Sequence, residues 1–263
     1  MIKKTNINEY IKTPFLDGIE LLNATNCTLD FPLHKHETYN ISLITKNTFH
    51  TNLADKSFEA PAGSIAITNT NELHSTPCES DIGNSFITFY IPPTVIEQIS
   101  HSNTLCFEDR VIYDKKMFND LLHLSQKKNL FGRHFEEKII DTLSALLNKS
   151  QISHINKKLD NSLRLFIKDI VLSEEKFSVS NTASKYGINK YKFIRLFKQE
   201  TGLTPKHFML LKRIEKSKLL LQLGHPIFEV AIDCGFYDCP HFYKYFKQYI
   251  GVNPLEYQSA FTT

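Results

Sequence analysis

Between residues 15 and 91 apolar and polar positions alternate over short distances, as in Tyr39-Asn40-Ile41-Ser42-Leu43-Ile44, Ser64-Ile65-Ala66-Ile67 and Ser85-Phe86-Ile87-Thr88-Phe89-Tyr90. Runs of this length, rich in β-branched and aromatic residues and broken by turn residues, predict short antiparallel strands forming a barrel or sandwich. Pro14, Pro32, Pro61, Pro77, Pro92 and Pro93 punctuate this third, and no further proline comes before Pro205. From Thr94 to Lys149 the period lengthens to that of helices. Phe135, Ile139, Leu143 and Leu147 step by four, Ile140 and Leu146 widen the stripe, and Phe118, Leu121, Leu122 and Leu124 mark a preceding helix. The stripe either packs on the barrel or pairs with its counterpart across a twofold axis. Residues 150–160 are polar and weakly patterned, and read as a linker.

The last hundred residues carry an internal repeat. Ala183, Gly187, Phe197, Lys198, Gln199, Gly202, Pro205 and Phe208 recur as Ala231, Gly235, Phe246, Lys247, Gln248, Gly251, Pro254 and Tyr257. The offset is 48 up to the glycine and 49 after it, so one residue is inserted in the turn. Each unit reads as helix, tight turn, helix. A helix over 179–186 reverses at Gly187 and a second runs from an Asn189 cap to about Thr201; a helix over 227–234 reverses at Gly235, with Asp238 as the next cap. Pro240 suits the first turn that follows, where a missing N–H costs nothing. Such helix-turn-helix units place their second helix in the DNA major groove. Between them Pro205–Leu223 reads as one helix, stopped by Gly224 and Pro226. At 1.5 Å per residue its ~18 residues span about 27 Å, of the order of one DNA turn, which gives a site of roughly 15–20 base pairs per chain.

Charge supports the same division. Up to residue 159 there are 16 Lys/Arg against 18 Asp/Glu; from 160 onward there are 15 against 10. The basic third is suited to a polyanion, yet its excess is too modest for a binder that lives on phosphate neutralisation alone. Of the 263 residues, 41% are hydrophobic and 22% charged, which argues against disorder or a rod. No secretory apolar region follows Lys3 and Lys4, and no apolar run approaches the ~20 residues of a membrane span. Five cysteines without a CxxC fit reduced thiols in a cytoplasmic protein rather than a disulfide framework.

The stretch from about Leu159 to Gln258 resembles the DNA-binding domain of the AraC/XylS family of bacterial transcription regulators. The most specific segment is Ile227-Phe-Glu-Val-Ala-Ile-Asp-Cys-Gly-Phe236, continuing through Phe242, Phe246-Lys247, Gly251, Pro254 and Tyr257, with Arg213 in the linker helix. Ser217, where alanine is usual, and Pro240-His241 depart from the pattern. The resemblance implies a seven-helix domain with two helix-turn-helix motifs, no enzymatic activity, and control of promoters. The expected fold class is α+β, with an N-terminal cupin-like antiparallel β-barrel and helical extension (1–150), a linker (151–160) and an all-α DNA-binding domain (160–259). Within that domain the motifs are expected at about 178–201 and 227–250, around a linker helix at 205–223.

Helical spacing puts Phe193, Leu196 and Phe197 in the core and leaves Lys190, Tyr191, Lys192, Ile194, Arg195 and Lys198 outward. In the second unit Phe242, Tyr245 and Phe246 pack inward and His241, Tyr243, Lys244 and Lys247 remain for DNA. Arg195 has the fork that matches guanine O6 and N7. Ile194 either meets a thymine methyl or is a partly buried edge residue. Lys198 and Lys247 suit phosphates, which position without specifying.

His34-Lys35-His36, then Pro61-Ala62-Gly63, then His74 resemble the cupin-like arm of such regulators, where a small barrel binds an effector. A His-x-His pair on a strand points both rings to one face. Metal-dependent cupins add a glutamate and a histidine at positions where this chain has no acid but Glu37, directly after His36, and has Ala66. No metal and no cofactor are therefore expected. His34, His36, Tyr39 and His74 line an organic effector pocket in the leading reading; a purely structural wall is a second, and a metal held by the His pair with His74 as a third ligand is the least favoured. The whole reads as a cytoplasmic, sequence-specific activator with promoter DNA, RNA polymerase, a small-molecule effector and a second copy as partners, and no membrane. A metal-dependent cupin enzyme fused to a DNA-binding domain, and an effector-independent regulator, are the alternatives.

Overall fold

The computed structural model describes residues 7–102, 105–132, 134–154 and 177–261. The chain divides into two compact units, residues 1–156 together with 246–263, and residues 157–245.

The first unit is built on two antiparallel sheets. One has six strands in the order β1 (Ile7–Lys12), β2 (Glu20–Cys27), β9 (Asn84–Ile91), β4 (Tyr39–Lys46), β7 (Ile65–Thr68) and β11 (Val111–Ile112). The other has four, in the order β3 (Phe31–His34), β8 (His74–Thr76), β5 (Thr48–Asn52) and β6 (Ser57–Pro61). Among the described residues no ladder joins the sheets, so the cupin-like domain is an open two-sheet sandwich and not a closed barrel. Helices α1 (Pro93–Ser100), α2 (Lys115–Leu124), α3 (Lys127–Leu130) and α4 (Phe135–Lys149) follow. The stretch from 94 to 149 is not wholly helical: β11 lies within it, as does β10 (Leu105–Phe107), which pairs with β12 (Ile152–His154) in the expected linker.

The period of two explains where the core sits. On the larger sheet Ile41, Leu43, Ile65, Ile67, Ile87, Phe89 and Ile91 share one cluster with Val95 and Ile96 of α1, Met117 and Leu121 of α2, and α4. The α4 stripe of Phe135, Ile139, Leu143 and Leu147 is buried in that cluster within a single chain. It is therefore already covered, and pairing through it across a twofold axis is excluded. The opposite face of the sheet carries Asn40, Ser42, Thr68, Thr88 and Tyr90, brought together by the pairs Asn40 with Thr68 and Tyr90, and Ser42 with Thr88. Asn40, Ser42, Thr68 and Thr88 are buried although polar, because this face looks into the space between the two sheets.

Beyond residue 176 the described chain is helical: α5 (Val179–Lys185), α6 (Lys190–Thr201), α7 (Pro205–Gln222), α8 (Ile227–Asp233), α9 (Cys239–Ile250) and α10 (Pro254–Ser259). The part of the expected DNA-binding domain from Leu159 to residue 176, and residues 155–160 of the linker, lie outside the described residues. The two halves of the repeat turn by the same device. Gly187 (φ 66°) donates to Ser184 O and Ile188 to Ala183 O; Gly235 (φ 74°) donates to Ile232 O and Phe236 to Ala231 O. These paired bonds satisfy the last helical carbonyls and reverse the chain at a left-handed residue. Ala183 and Ala231 are buried. Thr204 and Asn253, also 49 apart, cap α7 and α10. Ser217 is fully buried and its hydroxyl donates to Ile214 O at 2.7 Å, so the departure from alanine leaves no unsatisfied polar group.

Candidate DNA interface and histidine pocket

Asn189 accepts from the backbone N–H of Lys192 at 2.9 Å and starts α6 immediately beyond the Gly187 turn. Phe193 and Phe197 anchor the helix from below. Lys190, Tyr191, Lys192, Arg195 and Lys198 are exposed, Tyr191 to 71%, and Ile194 is half-buried. Tyr191, Ile194, Arg195, Lys198 and Gln199 line one open depression. Gln199 escaped the sequence reading, although its place four residues beyond Arg195 puts it on the same face. Lys190 Nζ lies 5.0 Å over the Tyr191 ring, joining a charge to the aromatic surface.

In α9 the Asp238 carboxylate accepts from the His241 backbone N–H at 2.7 Å. Lys244 and Lys247 are exposed and Tyr243 is half-buried. The His241 ring packs edge-on against Tyr245, with centroids 4.7 Å apart, and 6.0 Å from Phe236. Its Nδ1 is buried with no hydrogen-bond partner among the described residues. Two capped helices, each following a left-handed glycine, thus present mixed basic and aromatic faces.

Between the sheets the three histidines converge. His34 and His74 are opposed in the β3–β8 ladder, and His36 follows β3 two residues on. One ring nitrogen from each lies within 4.8 Å of the other two, and His34 Nε2 is 2.9 Å from His36 Nε2. His34 Nδ1 lies 2.6 Å from Pro32 O and His74 Nδ1 2.9 Å from Glu72 O. A carbonyl can only accept, so both Nδ1 atoms carry a proton, and in the neutral form of each ring Nε2 presents a lone pair. Burial pushes the His74 imidazole below its ordinary pKa, which keeps it neutral at neutral pH. The loop that offers Glu72 O is fixed by the Glu72 carboxylate, which accepts from the two terminal guanidinium nitrogens of Arg110 at 2.7 and 2.6 Å. Asn40, Ser42, Thr68, Thr88 and Tyr90 complete a cavity of about 40 Å³. Tyr39, expected beside the histidines, faces the other side of the sheet, where its hydroxyl donates to Leu105 O at 2.7 Å and its ring meets Phe107. Glu37 is exposed.

Two family models match the chain. Residues 18–141 match an AraC-like ligand binding domain and residues 182–260 a helix-turn-helix domain, together more than three quarters of the sequence. The chain belongs to the AraC family. It is a DNA-binding regulator with an N-terminal ligand-binding domain. Among the similar proteins is the probable transcriptional regulator LumQ of Photobacterium leiognathi, 26% identical over 255 residues that cover 94% of this AraC-family chain and 98% of LumQ. The arabinose operon regulatory protein of Escherichia coli K12 is 28% identical over 55% of this chain and 50% of its own. ToxT of Vibrio cholerae O395 has the same fold, with a TM-score of 0.54 at 17% identity over 99% of both chains. ToxT of strain SCE256 with a bound unsaturated fatty acid gives 0.55 at 18% over 98% of each.

Proposed function

We propose that this AraC-family chain is a non-enzymatic, cytoplasmic activator that binds promoter DNA through α6 and α9 and answers to a ligand held by its N-terminal domain. The carrying observation is the exposed face of α6, where Tyr191, Arg195, Lys198 and Gln199 surround Ile194 on a helix held rigidly by its cap and by Phe193 and Phe197. In this reading Arg195 contacts a guanine, Ile194 a thymine methyl, and Lys190, Lys192, Lys198, Lys244 and Lys247 hold phosphates. Tyr191, His241 and Tyr243 complete the two contact surfaces. A homodimer and contact with RNA polymerase belong to the same reading. No helix among the described residues is long and apolar enough to cross a membrane.

The test is selection of sheared source-genome DNA on the purified full-length protein at physiological salt, followed by sequencing. Discrete peaks sharing sites of roughly 15–20 base pairs are expected. A flat profile that vanishes as salt rises would reduce the protein to a non-specific polyanion binder and overturn the reading.

A further inference from the structure

An organic effector needs a pocket of roughly 300–1,000 Å³ to bury most of its surface. The space between the two sheets at the histidines is about 40 Å³. That is room for a few waters, each needing roughly 10–15 Å³ on this measure, or for an ion and a water. What the space lacks in size it has in ligand chemistry. His34 and His74 are anchored at Nδ1 to backbone carbonyls, the arrangement that fixes tautomer and orientation in metal-binding histidines and directs Nε2 at the ion. The Glu72–Arg110 pair holds the carbonyl that holds His74, which is a further layer of support.

We propose that His34, His36 and His74 form a three-imidazole site for a divalent transition-metal ion of the zinc class. Bonds of about 2.0–2.1 Å in a tetrahedral arrangement require nitrogens roughly 3.3 Å apart. The 2.9 Å between His34 Nε2 and His36 Nε2 and the 4.8 Å bound on the whole set bracket that spacing, so side-chain rotations that change these separations by roughly 0.4 to at most about 1.5 Å close the site. On binding, the hydrogen bond between the two Nε2 atoms is exchanged for two metal–nitrogen bonds, and His36 carries its proton on Nδ1. Three neutral nitrogens and no carboxylate in the lining select zinc, cobalt, nickel or copper over magnesium and calcium, which require oxygen ligands. Asn40, Ser42, Thr68 and Thr88 line the same cavity, and their polar groups suit a water in the fourth position. The proposal names the chemistry of the N-terminal domain's ligand, and rests on the regulator reading only for its consequence.

Full-length protein stripped with a chelator and titrated with Zn²⁺, Co²⁺ and Mg²⁺ provides the test. One equivalent of Zn²⁺ is expected by metal analysis after desalting, with a raised thermal midpoint, tetrahedral ligand-field absorption for Co²⁺, and no response to Mg²⁺. His74→Gln is expected to weaken the ion by at least the 10–100-fold that loss of a mere supporting partner costs. His36→Gln, at a half-buried position, serves as the second variant. No retained Zn²⁺, or full retention in both variants, would overturn the site. The duplex selection run on the same protein reads the other claim: discrete DNA sites without an ion sink this proposal alone, and an ion without discrete sites sinks the regulator reading alone.

Discussion

Glu72 ties two parts of the N-terminal domain together, since its carboxylate receives Arg110 and its carbonyl receives His74 Nδ1–H. The Arg110 side chain is 9% exposed and that of Glu72 21%, so neither charge is well solvated without the other. Arg110→Met is expected to cost about 3–5 kcal/mol in urea unfolding, whereas the double variant Arg110→Met/Glu72→Met recovers much of it, because an unpaired buried charge is worse than an apolar pair. Equal loss in both would show that the pair is solvated. On α6 the residues separate by chemistry. Arg195→Ala is expected to lose about 1–3 kcal/mol on the cognate duplex and to relax one position of the site; Lys198→Ala weakens all duplexes alike and lowers the salt slope by about 1. An Arg195→Ala loss of the same size on scrambled DNA would make Arg195 a phosphate contact. His34, His36 and His74 were legible as a set from order and spacing. Tyr39 was not placed correctly with them, because alternation tells which residues share a face and Tyr39 is out of phase with Asn40 and Ser42.

At the scale of elements, glycine and cap positions carried the helical reading. Gly187 and Gly235 are left-handed, and Asn189 and Asp238 each accept the expected backbone N–H. A Cβ at Gly187 would meet nothing within 4 Å, and the nearest atoms to one at Gly235 are those of the Arg213 guanidinium at 3.4 Å, an ordinary contact. Gly187→Ala and Gly235→Ala are therefore expected to destabilise by similar amounts, about 1–2 kcal/mol of backbone strain, and Gly187→Asn by less. A much larger loss at one position in thermal unfolding would mean that the two turns are not equivalent. In α2, the Asp114 carboxylate caps the helix through the Met117 N–H and pairs with Lys149 of α4. The Lys149 ammonium and the cap hold this carboxyl below its ordinary value. The stability it contributes is thus full above the unfolded carboxyl's pKa and is lost as pH falls through the folded one. Asp114→Ala is expected to cost about 1 kcal/mol at neutral pH and less in strong acid, where the protonated carboxyl keeps only a neutral cap. The strands were less legible. β10 and β11 have three and two residues, too few for a period to register, and they hid in a helical stretch. The alternation in β4 and β9 does not distinguish a solvent-facing polar side from an interior one; the four-stranded sheet opposite makes it an interior.

For the molecule as a whole, the burial of Leu143 changes what dimerisation can mean. A charge there strikes the domain's own core and unfolds it, so it cannot report on an interface between copies. The repeat itself bears on stoichiometry. Regulators with one helix-turn-helix per chain reach two successive grooves only as a dimer, and their operators mirror the dimer's twofold axis. Here one chain carries both motifs, joined by the 18-residue α7, which spans about 27 Å. The two motifs repeat in the same direction along the chain and differ at their outward positions, Lys192, Ile194 and Arg195 against His241, Tyr243 and Lys244. One chain therefore suffices for an asymmetric site, and a second copy adds a second site, not the other half of a palindrome. Sedimentation of the full-length protein with an excess of single-site duplex is expected to give one duplex per chain, so that a homodimer carries two, and a duplex with two sites is expected to hold both chains of one dimer. Two chains held on one palindromic site would mean that each chain engages a single motif, leaving either α6 or α9 outside the DNA.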